Sequence, residues 1–419
     1  MTTRPQMPIC LTSLEDPVAV DNVLAFLEPY APYTLGLIGN IVNSRPDLVK
    51  AIRVYTSFEV DFSKPLRAQP GSPTCAGAGP GATRSPVSPP HLFSIIALQP
   101  RDQARFFCSA DLRSSEPATA EEEAHVQEFF KEVIPIVAAF PPDNTDGPTP
   151  EYDILPIGAK GRGYRVGRLH GKWAPCLDPI TIQRSGPLVC LIRPPPSPPP
   201  SPPPRPLLRD PPPSTTSHTP GANETPNLKQ DRWIISRFRP SDIDFIQSTS
   251  LISRHKAYLE SRAHTSISIH DAHVADGTSK PNPNPVAWSI IQADGSFGVL
   301  WVEPSHRGLG LGDLVLKECM NQLETYHGLS GKRVTGTGIL GWQWADASPE
   351  NARSIQFFLR QEGWMVGWGT QWITFDPDAD PAAIDWSFRE VPTEESASRE
   401  WGKNPRILAL PKDNDKPDL

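Results

Sequence analysis

The stretch VLWVEPSHRGLGLGDLVLKECMNQLE (Val299–Glu324) reads as a short apolar strand, a glycine-studded turn and an amphipathic helix. Arg307, Gly308, Gly310 and Gly312 fit the spacing Arg/Gln-x-x-Gly-x-Gly/Ala, which lets the backbone approach a ligand and aim several N–H groups at one point. Leu311, Leu314, Val315 and Cys319 recur at three- and four-residue spacing, so a helix opens at the turn with its positive end toward whatever the loop cradles. An anion, a pyrophosphate, is the ligand this pattern suits; a tight strand-to-helix turn with no ligand fits the spacing equally well. No acidic residue closes a second strand about 20 residues on, as a dinucleotide fingerprint requires. No Gly-Lys-Ser/Thr follows, as a Walker loop requires.

Upstream, Val286–Ile291 reads as a strand, and Ala293-Asp294-Gly295 turns it back into the central strand Phe297–Val302. Ser241 opens a helix through Ile246, and a second helical stretch carries Tyr258 and Leu259. Downstream, Gly341–Ala347 reads as a strand. Pro349-Glu350-Asn351 opens a helix with Ile355, Phe358 and Leu359 on one face, and Trp368–Phe375 is the last strand.

The strand, loop and helix resemble the coenzyme A pyrophosphate motif of the GCN5-related N-acetyltransferase superfamily, carried here by Val302, Pro304, Arg307, Gly308 and Gly310. Asn351, Ser354, Phe358 and Gly363-Trp364 resemble its second motif, with one extra residue before the glycine. At a finer level AWSIIQADGSFGVLWVEPSHRGLGLG is similar to the glycine N-acyltransferase-like branch, and Leu37–Glu59 resembles that branch's degenerate amino-terminal domain. The resemblance implies tandem mixed α/β (α+β) folds, the first without a coenzyme loop, and acyl-CoA or acetyl-CoA as co-substrate. It places the run Arg307, Gly308, Leu309, Gly310, Leu311 and Gly312 on the pyrophosphate. Leu300 and Val302 would present main-chain N–H groups to the pantetheine and thioester, and Asn351 would touch the pantetheine arm.

The implied reaction is direct attack of an amine of a small molecule or amino acid on the thioester, with no acyl-enzyme. The alternatives are a protein lysine or N-terminal acetyltransferase and a non-catalytic acyl-CoA-binding protein. The chain departs from the family at the proton route. Ser296 occupies the glutamate position eleven residues before Arg307, and Phe358 or Leu359 stands where some relatives carry a tyrosine acid. A serine is no base at neutral pH, but Ser296 could hold a water that hands the proton to Asp294, with Glu303 a further candidate.

Toward the N-terminus, Asp16-Pro17 caps a helix carrying Val20, Val23, Leu24 and Leu27, and Leu35–Val42 is a second apolar helix. Strands follow around Ile52 and Val54, at Leu92–Leu98 and at Arg105–Ala110. Thr119 and Glu122 form a capping box for a helix bearing Val126, Phe129, Phe130, Val133 and Ile134. From Pro141 to Arg193 the pattern is poor, and GAKGRGYRVGR (158–168) reads as an exposed basic loop.

The 419 residues include 51 prolines, clustered in a disordered insert at 63–90 and in the run Pro194–Pro213. That run reads as a polyproline II spacer, though it is also the kind of sequence an SH3 or WW domain docks. The division expected is a degenerate domain at 10–190, a linker at 191–230, a catalytic domain at 231–378 and a tail at 379–419. Six cysteines without C-x-x-C spacing give no metal or disulfide pattern, and a net charge of −7 argues against nucleic acid. No run of 18 apolar residues and no basic leader pattern occurs, so no membrane partner is expected. A cytoplasmic location is expected, a mitochondrial one being left open.

Overall fold

The computed structural model describes residues 7–44, 46–64, 89–99, 103–139, 163–184, 186–195, 232–249, 254, 256–272, 284–325 and 341–387. The first half carries β1 (Cys10–Ser13), α1 (Pro17–Leu27), α2 (Leu35–Asn43), α3 (Pro46–Ala51), β2 (Arg53–Thr56), β3 (Ser94–Gln99), β4 (Gln103–Cys108), α4 (Ala120–Ala139), β5 (Tyr164–His170), α5 (Ala174–Leu177), β6 (Thr181–Arg184) and β7 (Leu188–Arg193). The second carries β8 (Trp233–Arg237), α6 (Pro240–Thr249), α7 (Lys256–Arg262), β9 (Ile267–Asp271), β10 (Ala287–Ile291), β11 (Phe297–Val302), α8 (Leu311–Thr325), β12 (Gln343–Ala347), α9 (Ala352–Leu359) and β13 (Met365–Phe375).

Local chemistry sets the helix starts. Asp16 accepts from the Val18 N–H at 2.9 Å ahead of Pro17, and the box before α4 closes reciprocally, Thr119 N–H to Glu122 at 2.9 Å and Glu122 N–H to Thr119 at 3.3 Å. Every residue of α2 is buried, as its unbroken apolar character requires.

The strands form one sheet in the order β1-β2-β3-β4-β5-β13-β7-β12-β11-β10-β9-β8, with β6 also paired to β13. Each half repeats one topology: four antiparallel strands, then a parallel step, β4 to β5 in the first and β11 to β12 in the second. This is the tandem mixed α/β arrangement expected from the sequence. The halves also exchange their last strands, since β13 pairs with β5 of the first half while β7 pairs with β12 of the second. Alternate strand residues feed opposite faces. Helices α1, α2, α6 and α7 cover one face and α4, α8 and α9 the other.

The stretch 141–193, poor in pattern, holds three strands. The residues 164–168, expected in an exposed loop, are the buried start of β5, because Arg165 and Arg168 lie inside and Gly167 lies against the Arg105 guanidinium and the Trp372 ring. Strand β7 runs across the boundary drawn at 190. Residues 379–387 dock on α4, with Gln127 Nε2 donating to the Trp386 carbonyl at 2.9 Å and Lys131 Nζ 5.1 Å from the Trp386 ring centre. The runs 158–162, 65–88 and 196–231, and with them most of the insert, the basic loop and the proline-rich linker, lie outside the described residues.

Candidate functional site

Strand β11 is irregular where the second half opens. Between Trp288 and Ile290 of β10 lie two steps, but their partners Trp301 and Gly298 are three apart, so β11 carries one extra residue at a bulge where Val299 adopts φ 52°. On its other side β11 pairs with β12 only at Phe297↔Ala345 among the described residues. Beyond that pair the parallel strands part, leaving the edge from Val299 to Val302 without a strand partner among the described residues. Leu300 and Val302 lie along this edge, their side chains turned to the α8 face.

The cleft leads into the glycine turn. A single 3-10 turn at Pro304–His306 precedes Arg307, then Gly308 and Gly310 take φ 77° and 76°, a conformation other residues adopt only under strain. A Cβ on either would meet nothing within 4 Å, so backbone conformation and open space, not packing, call for glycine there. Helix α8 starts here, between the exposed Leu309 and the buried Leu311, and the first N–H groups of a helix have no acceptor within it. Gly312 differs: a Cβ there would come 3.0 Å from the Phe357 ring, so its smallness serves the contact of α8 with α9. Arg307 stacks on Trp301 with its guanidinium 5.2 Å from the ring centre and donates from Nε to the Val302 carbonyl at 3.1 Å. His306 anchors the turn from behind, with Nε2 3.5 Å from Asp271 at the end of β9.

Asn351 is the N-cap of α9, its Oδ1 accepting from the Ser354 N–H at 3.1 Å. Phe358, where some relatives of the resembled family carry the acid, is buried against Trp364 with ring centres 4.6 Å apart. Glu303 accepts from Trp301 Nε1 at 3.0 Å at the outer end of β11.

Asp294 and Ser296 lie together in direct contact. Ser296 donates directly to Asp294 Oδ1 from Oγ at 2.7 Å and from N–H at 3.1 Å. Burial disfavours charge on Asp294, yet Arg105, Arg168 and the Ser296 donors outweigh it and hold the carboxyl below the usual carboxylate range. A carboxylate so fixed is a weak proton acceptor. Sequence reasoning missed its partners: Arg105 Nη2 lies 3.8 Å from Asp294, and Arg168 Nε lies 3.1 Å from Asp346 on β12. The signal present in the sequence was Arg105 in the run Ala104–Cys108; Arg168, in the basic run 158–168, gave none.

The first half closes the equivalent place. Beyond Arg105↔Gly167 the ends of β4 and β5 are strapped by Trp173, which donates to Asp111 at 2.6 Å while the Cys108 N–H donates to the same carboxyl at 3.0 Å. Burial pushes Asp111 up to about 7. Helix α4 begins with Glu121, Glu122 and Glu123 and an occupied cap, a start that repels phosphate.

No protein-family model and no curated protein sequence matches the chain. Among solved structures, a Drosophila protein aligns over 88% of this chain and 99% of its own at 14% identity and a TM-score of 0.45. A tandem GNAT protein from the clavulanic acid biosynthesis pathway aligns over 89% and 99% at 12% identity and a TM-score of 0.36. A GCN5-related N-acetyltransferase from Kribbella flavida aligns over 70% and 89% at 12% identity and a TM-score of 0.32. All three scores lie below 0.5, so the functional argument stands on the residues and geometry of the cleft.

Proposed function

We propose that the chain is an acyl-CoA-dependent N-acyltransferase of the GCN5-related type, nearest the glycine N-acyltransferase-like branch, acting on the amine of a small molecule or amino acid. The observation that carries this reading is the bulged, half-unpaired β11 running directly into a turn with two left-handed glycines at the start of a 15-residue helix. The open space at Gly308 and Gly310, the free N–H groups of α8 and the exposed Arg307 suit a pyrophosphate. The unpaired edge of β11 suits an extended arm carrying amides, which would add to the strand by main-chain hydrogen bonds.

A bound acyl-CoA supplies the activated thioester. The chain's own part is to hold it, to turn main-chain N–H groups of the bulge toward the carbonyl oxygen, and to exclude water with the apolar residues of β11 and α8. Direct attack is favoured over a covalent acyl-enzyme because burial pushes the thiols of Cys190 and Cys319 up to about 12, which leaves them inert at neutral pH. A second reading, a coenzyme-binding protein without turnover, is favoured by one observation: the Asp294 carboxylate is already engaged and Ser296 stands where relatives carry a base.

The test is calorimetry with acetyl-, benzoyl- and long-chain acyl-CoA, followed by free-thiol release with a panel of amino acids and polyamines. Saturable binding is expected, and Gly310→Val should abolish it while circular dichroism stays unchanged, since the side chain would enter the space left for phosphate and strain the turn. Unchanged affinity in a folded Gly310→Val protein would end the coenzyme reading. Binding without thiol release for any acceptor would select the second one.

A further inference from the structure

A buried cluster of four charged side chains joins the two halves at the foot of the cleft. Arg105 comes from β4 and Arg168 from β5, in the first half; Asp294 precedes β11 and Asp346 lies in β12, one on each wall of the second half's cleft. Asp346 directly follows Ala345, whose pairing with Phe297 is the last before the walls part. All four side chains are between 4 and 13% exposed.

The surroundings leave these groups to one another. Helix α2 lies over them and brings no charge: Gly36 faces the stems of both arginines, and a Cβ on Gly39 would run into the Asp294 carbonyl. Strand β7 contributes the Cys190 thiol, which takes a hydrogen bond from Arg168 Nη2 at 3.0 Å. Strand β13 contributes the Trp372 ring, 4.7 Å from the Arg105 guanidinium, and β12 the Trp344 ring, 5.6 Å from that of Arg168. Thus the ionisable groups that these elements direct at the cluster are two arginines, two aspartates and a thiol. In so dry a setting the two carboxylates, one per wall, repel each other unless both arginines stay in place.

We infer that Arg105 and Arg168 are positioning residues for the second half's cleft: the half that lacks a coenzyme loop supplies the two cations that fix how far β11 and β12 stand apart. This rests on the coenzyme reading proposed above. A shift of about an ångström between the walls would misalign the thioester and the amine, while among the described residues the hydrogen bonds and ion pairs of the two arginines go to Gln103, Ala104, Cys190, Asp294 and Asp346 and not to the turn at 303–312.

The experiment uses the full chain with acetyl-CoA and the best acceptor, measuring melting temperature, coenzyme Kd, kcat and KM from pH 5.5 to 9. Arg168→Met is expected to bind acetyl-CoA within about threefold of the parent and to lose at least about tenfold in kcat. The loss should deepen as pH rises, because an unpaired Asp346 is neutral when protonated and repels Asp294 when charged. Arg168→Met/Asp346→Asn, which removes both partners, should recover most of the kcat and lose that pH dependence. Arg168→Lys should fall between parent and Arg168→Met.

A folded Arg168→Met with parental kcat overturns the inference, and so does a loss equal at every pH that the double variant fails to relieve. If Arg168→Met does not fold, parental turnover in both Arg168→Lys and the double variant overturns it as well. A parent that binds no acyl-CoA removes the coenzyme reading and this inference together. A parent that binds but transfers nothing leaves the coenzyme reading standing, selects the protein without turnover, and removes this inference.

Discussion

A buried residue's charge state decides much of how this protein should respond to acid. His170 on β5 stacks on Trp368 at 3° and 6.4 Å, its Nδ1 accepts from the Lys172 N–H at 3.3 Å, and Nε2 has no hydrogen-bond partner among the described residues. Burial first, and Lys172 second, bring its pKa down to about 3. The unfolded imidazole titrates near ~6.5, so its native environment contributes stability that is complete above that pH and lost as pH falls toward 3. His170→Phe keeps the stack and removes the titration. Urea melts between pH 6.5 and 4 should therefore show a shallower acid limb in the variant, by up to about 1.4 kcal/mol per pH unit. Equal slopes would mean that the imidazole takes up its proton in the native state.

The helix α9 separates a structural role from a binding one at a single side chain. Asn351→Ala removes the cap bond to Ser354 and should cost about 1 kcal/mol in urea unfolding. Asn351→Asp retains the acceptor and so the stability. If the Asn351 amide N–H group also reaches the coenzyme, Asn351→Asp should weaken acyl-CoA binding several-fold at unchanged stability, and equal affinities would assign Asn351 to the cap alone. Elements of this kind were legible in the sequence because their causes are local: Asp16-Pro17, the Thr119/Glu122 box, the apolar spacing of α8 and the glycines after β11. Strands β5, β6 and β7 were not. Tyr164-Arg165-Val166-Gly167-Arg168 has no strand alternation, and Arg168 is tolerated inside because Asp346 and the Trp344 ring come from more than 120 residues away in the chain, as Asp294 and the Trp372 ring do for Arg105 on β4. Asp294 was legible as a carboxylate near the cleft, but its partners, and hence its chemistry, were not.

At the scale of the whole molecule the proline-rich linker connects the end of β7 with the start of β8, five strands away across the sheet, or about 25 Å. Residues 214–231 alone can reach roughly 60 Å when extended. Deleting 196–213 should accordingly leave acyl-CoA affinity within about twofold and the melting temperature unchanged, and a clear loss of either would mean that the run is packed. The deletion starts at 196 because Pro195 lies against Gly341, which leaves no room there for a side chain. Strand exchange has a further consequence, which concerns synthesis. Among the described residues the place beside β5 is filled only by Met365–Phe375, 172 residues after β7 ends at Arg193, and until those residues leave the ribosome the first half has an open sheet edge. At roughly 5–20 residues per second that edge waits roughly 10–35 s, so a chain stopped anywhere before Met365 cannot complete even the half that was made first.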